Sequence, residues 1–382
     1  MIKSFQDMLS AFRARQRCRF ALILVLAGFL CYVVAFSVLC MKRYDGFNYG
    51  IDLGNMVQAF YSTLDGRILE MTVMGAEYNA SRLTGHIELL YLLLVPIFAV
   101  FRHAYTLLIL QTVALGLGGI AVFYLADHLL RDTWTSATLA FAYWLYPYLA
   151  TSNFCDFRAD AFMVVPHIMA WYFLARKQDR LFWIAIAAGM LAKEYAFAFN
   201  ALLALVIWRD HKRKAVVLLG LAAAQIWLFT PLVHIMAGAG RLKPILEEQT
   251  RHYLGFDSLS SFGAHALELG RSFRYVSTIL VLLLIFNVAL FRFRSGLVLI
   301  IPLFAVLTLT QLRDSAPFFG GHHQTILIAP LFITLVEGVR RMRPAHRLRY
   351  VLLGVLLPAA AVTLLYPRTT LGGLIAEMTY RS

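Results

Sequence analysis

Charge is what this sequence has least of. Only 15% of its 382 residues are Asp, Glu, Lys or Arg, where a soluble domain carries about 25%. That scarcity excludes an ordinary soluble enzyme. With 60% hydrophobic residues, a disordered or collagen-like chain is excluded as well. Cysteine is equally sparse. Cys18, Cys31, Cys40 and Cys155 form neither a CxxC nor a paired-loop spacing, which argues against a disulfide framework and against structural zinc. Internal repeats and low-complexity tracts are not evident. Acidic residues are the rarer sign, 21 against 35 basic, for a net charge of +14.

What the chain has is hydrophobic length. Mean hydropathy is +0.69, and 14% of residues are aromatic. Five basic residues (Lys3, Arg13, Arg15, Arg17, Arg19) precede an apolar run from Phe20 to about Met41. That run is longer than the apolar part of a secretory signal and shows no convincing cleavage site. It reads as an uncleaved first membrane helix. Further apolar runs cover about 86–101, 104–126, 134–152, 161–175, 181–208, 215–237, 274–291, 295–312, 322–338 and 349–366. A span needs roughly 20 apolar residues, so 86–101 is short and 181–208 is long. The long run carries Lys193-Glu194 in its middle, which is costly in lipid. A turn there, between two short helices, would let both side chains reach a polar region.

The position of the basic residues orients the chain. Clusters at 1–19, 176–180, 209–214, 292–294 and 339–349 hold 19 of the 35 Lys and Arg. If all are cytoplasmic, then 181–208 enters and leaves on one side, and 42–85, 153–160, 238–273 and 313–321 lie outside. An even number of crossings between 86 and 152 then makes 86–101 a half-inserted or surface helix. The basic balance is a topology signal, and nothing argues for nucleic acid. The cluster 340–349 reads as a cytoplasmic orientation signal within reach of anionic lipid.

The outer segments hold the polar interest. From Leu53 to Leu64 apolar residues recur at helical spacing (Leu53, Met56, Val57, Phe60, Leu64). Asp52 stands just before them. It reads either as a helix cap or as a carboxylate held at the membrane surface. Asp156, Arg158 and Asp160 put two carboxylates around one guanidinium, which is either a local ion pair worth about 0–1 kcal/mol or part of a site. Lys193 and Glu194 are either a mutually paired hairpin tip or a reach toward an anionic headgroup. Arg313-Asp314-Ser315 and Gly320-Gly321-His322-His323-Gln324 form another polar strip. Adjacent His residues point to different sides of a helix, a poor metal pair. His86 and Glu88 begin an apolar run, with His86 either interfacial or a phosphate ligand. Gly116, Gly118 and Gly119 sit inside an apolar helix, where close packing explains them. Trp144, Tyr146 and Tyr148 read first as an interfacial belt.

In order along the chain, Ile51-Asp52-Leu53-Gly54-Asn55-Met56-Val57-Gln58-Ala59, Gly85-His86, Asp156-Phe157-Arg158, Leu191-Ala192-Lys193-Glu194 and His322-His323 leading to Ile328-Ala329-Pro330 form a set. With it the sequence resembles the membrane proteins called domain of unknown function 2079. Their third motif usually reads Asp-Phe-His. Arg158 stands here instead, so a histidine-dependent role does not carry over. That family looks like a branch of the GT-C glycosyltransferases. The resemblance implies an all-α, polytopic GT-C-like bundle with about 10–12 membrane helices and a helical first external loop. It implies transfer of a sugar from a polyprenyl-phosphate donor to a glycan, lipid or protein acceptor on the external, periplasmic side.

The expected layout is a cytoplasmic tail at 1–19, a transmembrane domain at 20–366 and an external tail at 367–382, in the inner or plasma membrane. Asp52 is the expected general base. Arg158, Lys193, Arg313 and Arg82 are candidates for the leaving phosphate. Asp156, Asp160, Glu194, His86 and His322 complete the expected substrate-binding set. No cofactor is expected to be required, with a divalent metal left open. Membrane lipids are the other expected partners. The alternatives are a transporter or lipid flippase, and an inactive GT-C-like scaffold that binds lipid.

Overall fold

The computed structural model describes residues 2–74, 77–237, 285, 291–314 and 324–365. Helix α1 (Ile2–Asp45) is followed by α2 (Ile51–Leu64), strands β1 (Glu70–Met74) and β2 (Glu77–Ser81), and a 3-10 turn at Arg82–Thr84. Then come α3 (Leu90–Val100), α4 (Ala104–Leu130), α5 (Thr133–Trp144) and α6 (Pro147–Phe154). A 3-10 turn at Ala159–Met163 leads into α7 (Val164–Ala175), α8 (Asp179–Ala192), α9 (Ala196–Ile207) and α10 (Lys212–Ala237). The last described helices are α11 (Arg294–Asp314), α12 (Thr325–Arg340), α13 (Pro344–Val351) and α14 (Leu357–Leu365), the last two joined by a π-helical turn.

Among the described residues the fold is all-α apart from one antiparallel hairpin, which pairs Glu70 with Ser81 and Met74 with Glu77. A strand in this segment is not among the expectations from sequence. The hairpin is docked on α2, where the Gln58 side chain accepts from the Thr72 backbone N–H at 3.0 Å.

Among the described residues, three helical stretches are long and apolar enough to cross a membrane: Arg19–Asp45, Ala104–Leu130 and Pro344–Leu364. At 1.5 Å per residue, 27 residues reach about 40 Å, more than the roughly 30 Å of hydrocarbon. The tail before Arg19 continues α1 as helix. Most of the run expected at 274–291 and the tail 367–382 lie outside the described residues.

Helix α4 is mostly buried and organises the bundle. Its glycines admit large neighbours. A Cβ on Gly119 would lie 2.4 Å from Trp144, and one on Gly116 would lie 3.0 Å from Tyr32. Trp144 Nε1 donates to Gly116 O at 2.9 Å, and Tyr143 Oη donates to Leu115 O at 2.8 Å. The glycines are thus packing sites. The same contacts overturn the aromatic belt. Trp144, Tyr146 and Tyr148 are buried in the bundle, with Tyr146 against Phe332.

The run at 134–152 is two helices rather than one. Pro147 has no N–H to continue a helix and opens α6 at its first position. By contrast the run at 181–208 breaks where its charges predict. Lys193 is extended, with φ −160 and ψ 153, and separates α8 from α9. The Gln225 side chain donates to Met190 O at 3.3 Å and to Lys193 O at 3.2 Å. Carbonyls freed by the break are satisfied there.

Candidate functional site

The break between α8 and α9 meets two loops at one end of the bundle. One loop is 82–89, before α3. The other is 155–160, between α6 and α7. The start of α2 closes the group. Backbone at Cys155 and Arg158 is extended, so side chains alternate in direction. Asp156 and Arg158 both turn to the start of α2. Phe157 turns away and is fully buried, with Tyr91 at 5.4 Å and Phe60 at 6.0 Å between ring centroids.

Asp52 is not a side-chain cap. Gly50 holds the cap position without a side-chain bond, and Asp52 lies in the first turn. An acidic residue there suits the helix dipole. Its Oδ2 accepts from Arg158 Nη2. This pair is partly open, with Asp52 39% and Arg158 17% exposed. Arg158 Nε is buried without a partner among the described residues. The Arg158 backbone N–H donates to Gln111 Oε1 at 2.7 Å, which fixes the loop to α4.

Asp156 Oδ1 accepts the Gly50 N–H at 2.9 Å. Glycine is required by close approach, because a Cβ at position 50 would lie 2.8 Å from Asp156 Oδ2. Burial raises the Asp156 pKa. The Gly50 bond opposes that, and the nearby Asp52 charge adds to it. Arg43, at the end of α1, acts on the same carboxylate. Its guanidinium lies over Tyr49 at 5.3 Å, and its Nε is also buried without a partner among the described residues.

Beside this open pair lies a closed ion cluster. Arg82 grips Glu88 with two bonds, Nε at 2.7 Å and Nη2 at 3.4 Å. Lys193 Nζ lies 3.2 Å from Glu88 and 2.9 Å from Asp160. Glu88 is fully buried, and Lys193 is 1% exposed. Burial alone would raise the Glu88 pKa, but Arg82 and then Lys193 pull it well below the ordinary carboxylate value. Ions taken from water cost several kcal/mol each, so such a cluster persists only when fully paired. Glu194 is committed separately. Its Oε1 lies 2.7 Å from His86 Nδ1, and its Oε2 accepts the Ile87 N–H at 3.0 Å. Burial and Arg82 lower the His86 pKa against the opposing pull of Glu194.

Several expectations change accordingly. Lys193 and Glu194 do not pair with each other; they serve separate partners on the 82–88 and 158–160 loops. Asp156, Arg158 and Asp160 do not form a local ion triad. Asp156 and Arg158 bind the start of α2, and Asp160 binds Lys193 at the α8–α9 break. Arg82 is buried and spends its Nε and an Nη2 bond on Glu88, so that edge of the guanidinium is already taken. His86 is bound to Glu194. Arg313 lies in the last turn of α11, and its side chain lies outside the described residues, as does His322.

Glu88, Arg43 and Gln111 belong to the site but were not singled out as site residues. Glu88 had a signal, since a carboxylate opening an apolar run is a candidate by default. Among the described residues, no group of three or more His, Cys, Asp or Glu is arranged to hold a metal ion.

A family model described as predicted membrane protein (DUF2079) matches residues 43–371. The chain belongs to that family. No curated protein and no solved structure matches it.

Proposed function

We propose, with membership of that family as the premise, that the protein is a membrane glycosyltransferase of GT-C type. In this reading it moves a sugar from a polyprenyl-phosphate donor to an acceptor hydroxyl at the external side of the cell membrane, with its amino terminus cytoplasmic. The acceptor oxygen attacks the anomeric carbon as the carbon–oxygen bond to the phosphate breaks. The bonding pair stays on the lipid phosphate, and the hydroxyl proton passes to a base.

The observation that carries this reading is the open Asp52–Arg158 pair beside the closed cluster. A leaving phosphate gains negative charge, and a preset guanidinium stabilises it. Among the described residues Arg158 has a buried, unpartnered Nε, and so does Arg43, whose charge also acts on Asp156. Two guanidiniums with unused donors suit a phosphate. Lipid tails would stay beside apolar α3, whose Leu93 and Ile97 are exposed. Asp52, the base expected from sequence, shares its carboxylate with Arg158 and is free only when the phosphate draws that arginine off.

The test is transfer from radiolabelled polyprenyl-phosphate glucose and mannose in vesicles carrying the protein, with total membrane extract as acceptor. Label should move only when the protein is present. A second reading, a transporter or lipid flippase, is favoured by the broken α8–α9 segment with buried Lys193. In that case the donor crosses the vesicle membrane with its sugar bond intact.

A further inference from the structure

We propose that His86 is the proton acceptor of the transfer, that Glu194 positions it, and that Asp52 serves to hold Arg158. This rests on the transferase reading and assigns a role within it.

The geometry of the imidazole carries the assignment. Glu194 uses both carboxylate oxygens, one on His86 Nδ1 at 2.7 Å and one on the Ile87 N–H at 3.0 Å. The carboxylate accepts, so Nδ1 carries the hydrogen and Nε2 keeps its lone pair. Among the described residues Nε2 has no partner, and the side chain is 19% exposed. The ring is therefore gripped at Nδ1, while its second nitrogen carries no bond among the described residues. The same constellation orients imidazole bases in hydrolases.

The competing carboxylate is less suited. Asp52 is bonded to Arg158 and can take a proton only after that bond is given up. Protonating His86 creates an ion pair with Glu194 that does not exist beforehand. Only the second interaction grows as the proton moves, which is what lowers a barrier. The charged groups facing the imidazole are Arg82, Glu88, Lys193 and Glu194. Burial and Arg82 keep the ring neutral at neutral pH, ready to accept. In the step itself, the acceptor O–H proton moves to Nε2 as the oxygen bonds the anomeric carbon. The phosphate leaves with the electron pair, and the imidazolium later returns its proton to water.

The experiment uses the full chain in vesicles with labelled polyprenyl-phosphate glucose and mannose. H86Q should lower transfer about 100-fold, the scale of general base catalysis. Imidazole added to His86→Ala should restore part of it. Wild-type transfer should fall on the acid side, with the limb below the ordinary imidazole value of 6.5. E194Q should move that limb further to acid, because Glu194 raises the proton affinity of the ring. A purely structural role would not move it. D52N should raise the donor KM and leave the limb in place.

If the variants do not fold, diethyl pyrocarbonate on the wild type gives a second reading. Loss of transfer should track carbethoxylation of His86. Full inactivation with His86 unmodified, wild-type transfer in H86Q, or an unmoved limb in E194Q would overturn the assignment while the transferase reading stands. A wild type that transfers from neither donor would overturn both.

Discussion

The two halves of the site hold their charges in opposite ways. Around Glu88, every charge is buried and answered: Arg82 with two bonds, Lys193 bridging to Asp160. Around Asp52, one pair stands partly open, and two guanidiniums keep an Nε without a partner among the described residues. The first arrangement resists change, because removing one partner strands a buried ion. The second can exchange its partner for a ligand at little cost. The proposed phosphate donor would use both, a rigid seat and an exchangeable contact beside it. The 156–160 loop links them, with Arg158 on the open side and Asp160 on the closed side.

The largest effect should come from the closed half. Lys193→Ala leaves Glu88 and Asp160 short of a buried cation, and should cost about 3–5 kcal/mol. A fall in thermal midpoint in detergent would show it. Acid should attack the same point. Glu88 has a lowered folded pKa, so its contribution is full above its ordinary value of 4.5 and is lost as pH falls toward the folded value. Unfolding below about pH 4.5 should therefore be less steep in E88Q, read by the pH dependence of the midpoint.

Next comes the open half. R158A should lower transfer about 100-fold, the scale of losing one transition-state donor, while the midpoint stays near wild type. A matching drop in the midpoint would erase the distinction between the halves. Gly50→Ala should cost less. Its Cβ would press on Asp156 Oδ2 at 2.8 Å, for about 1–3 kcal/mol of overpacking, visible as a modest midpoint shift. The smallest effect belongs to D52A. The pair is exposed enough that stability should change by no more than about 1 kcal/mol, measured in the same melt.

Much of the scaffold was legible in the chain. Apolar length announced α1 and α4, and the Lys193-Glu194 dipeptide announced the break between α8 and α9. Helical spacing announced α2. Pro147 was a visible signal for splitting the run at 134–152, although the run read as one segment. The partners in the site were not legible. Arg158 and Asp52 lie 106 residues apart, as do Asp156 and Gly50. Local spacing suggests local pairs, and here tertiary packing draws the charges of one loop to two distant elements, the start of α2 and the α8–α9 break. Glu88 was missed as a site residue for the same reason. Its cations come from six residues before it and from the distant α8–α9 break.

The most direct test of the open pair as the donor site is a donor titration. Transfer from labelled polyprenyl-phosphate glucose and mannose would be followed over a range of donor concentrations for wild type and R158A in vesicles. Wild type should transfer label, and R158A should need far more donor or fall about 100-fold with its fold intact. Equal transfer by both, or none by the wild type, would contradict it.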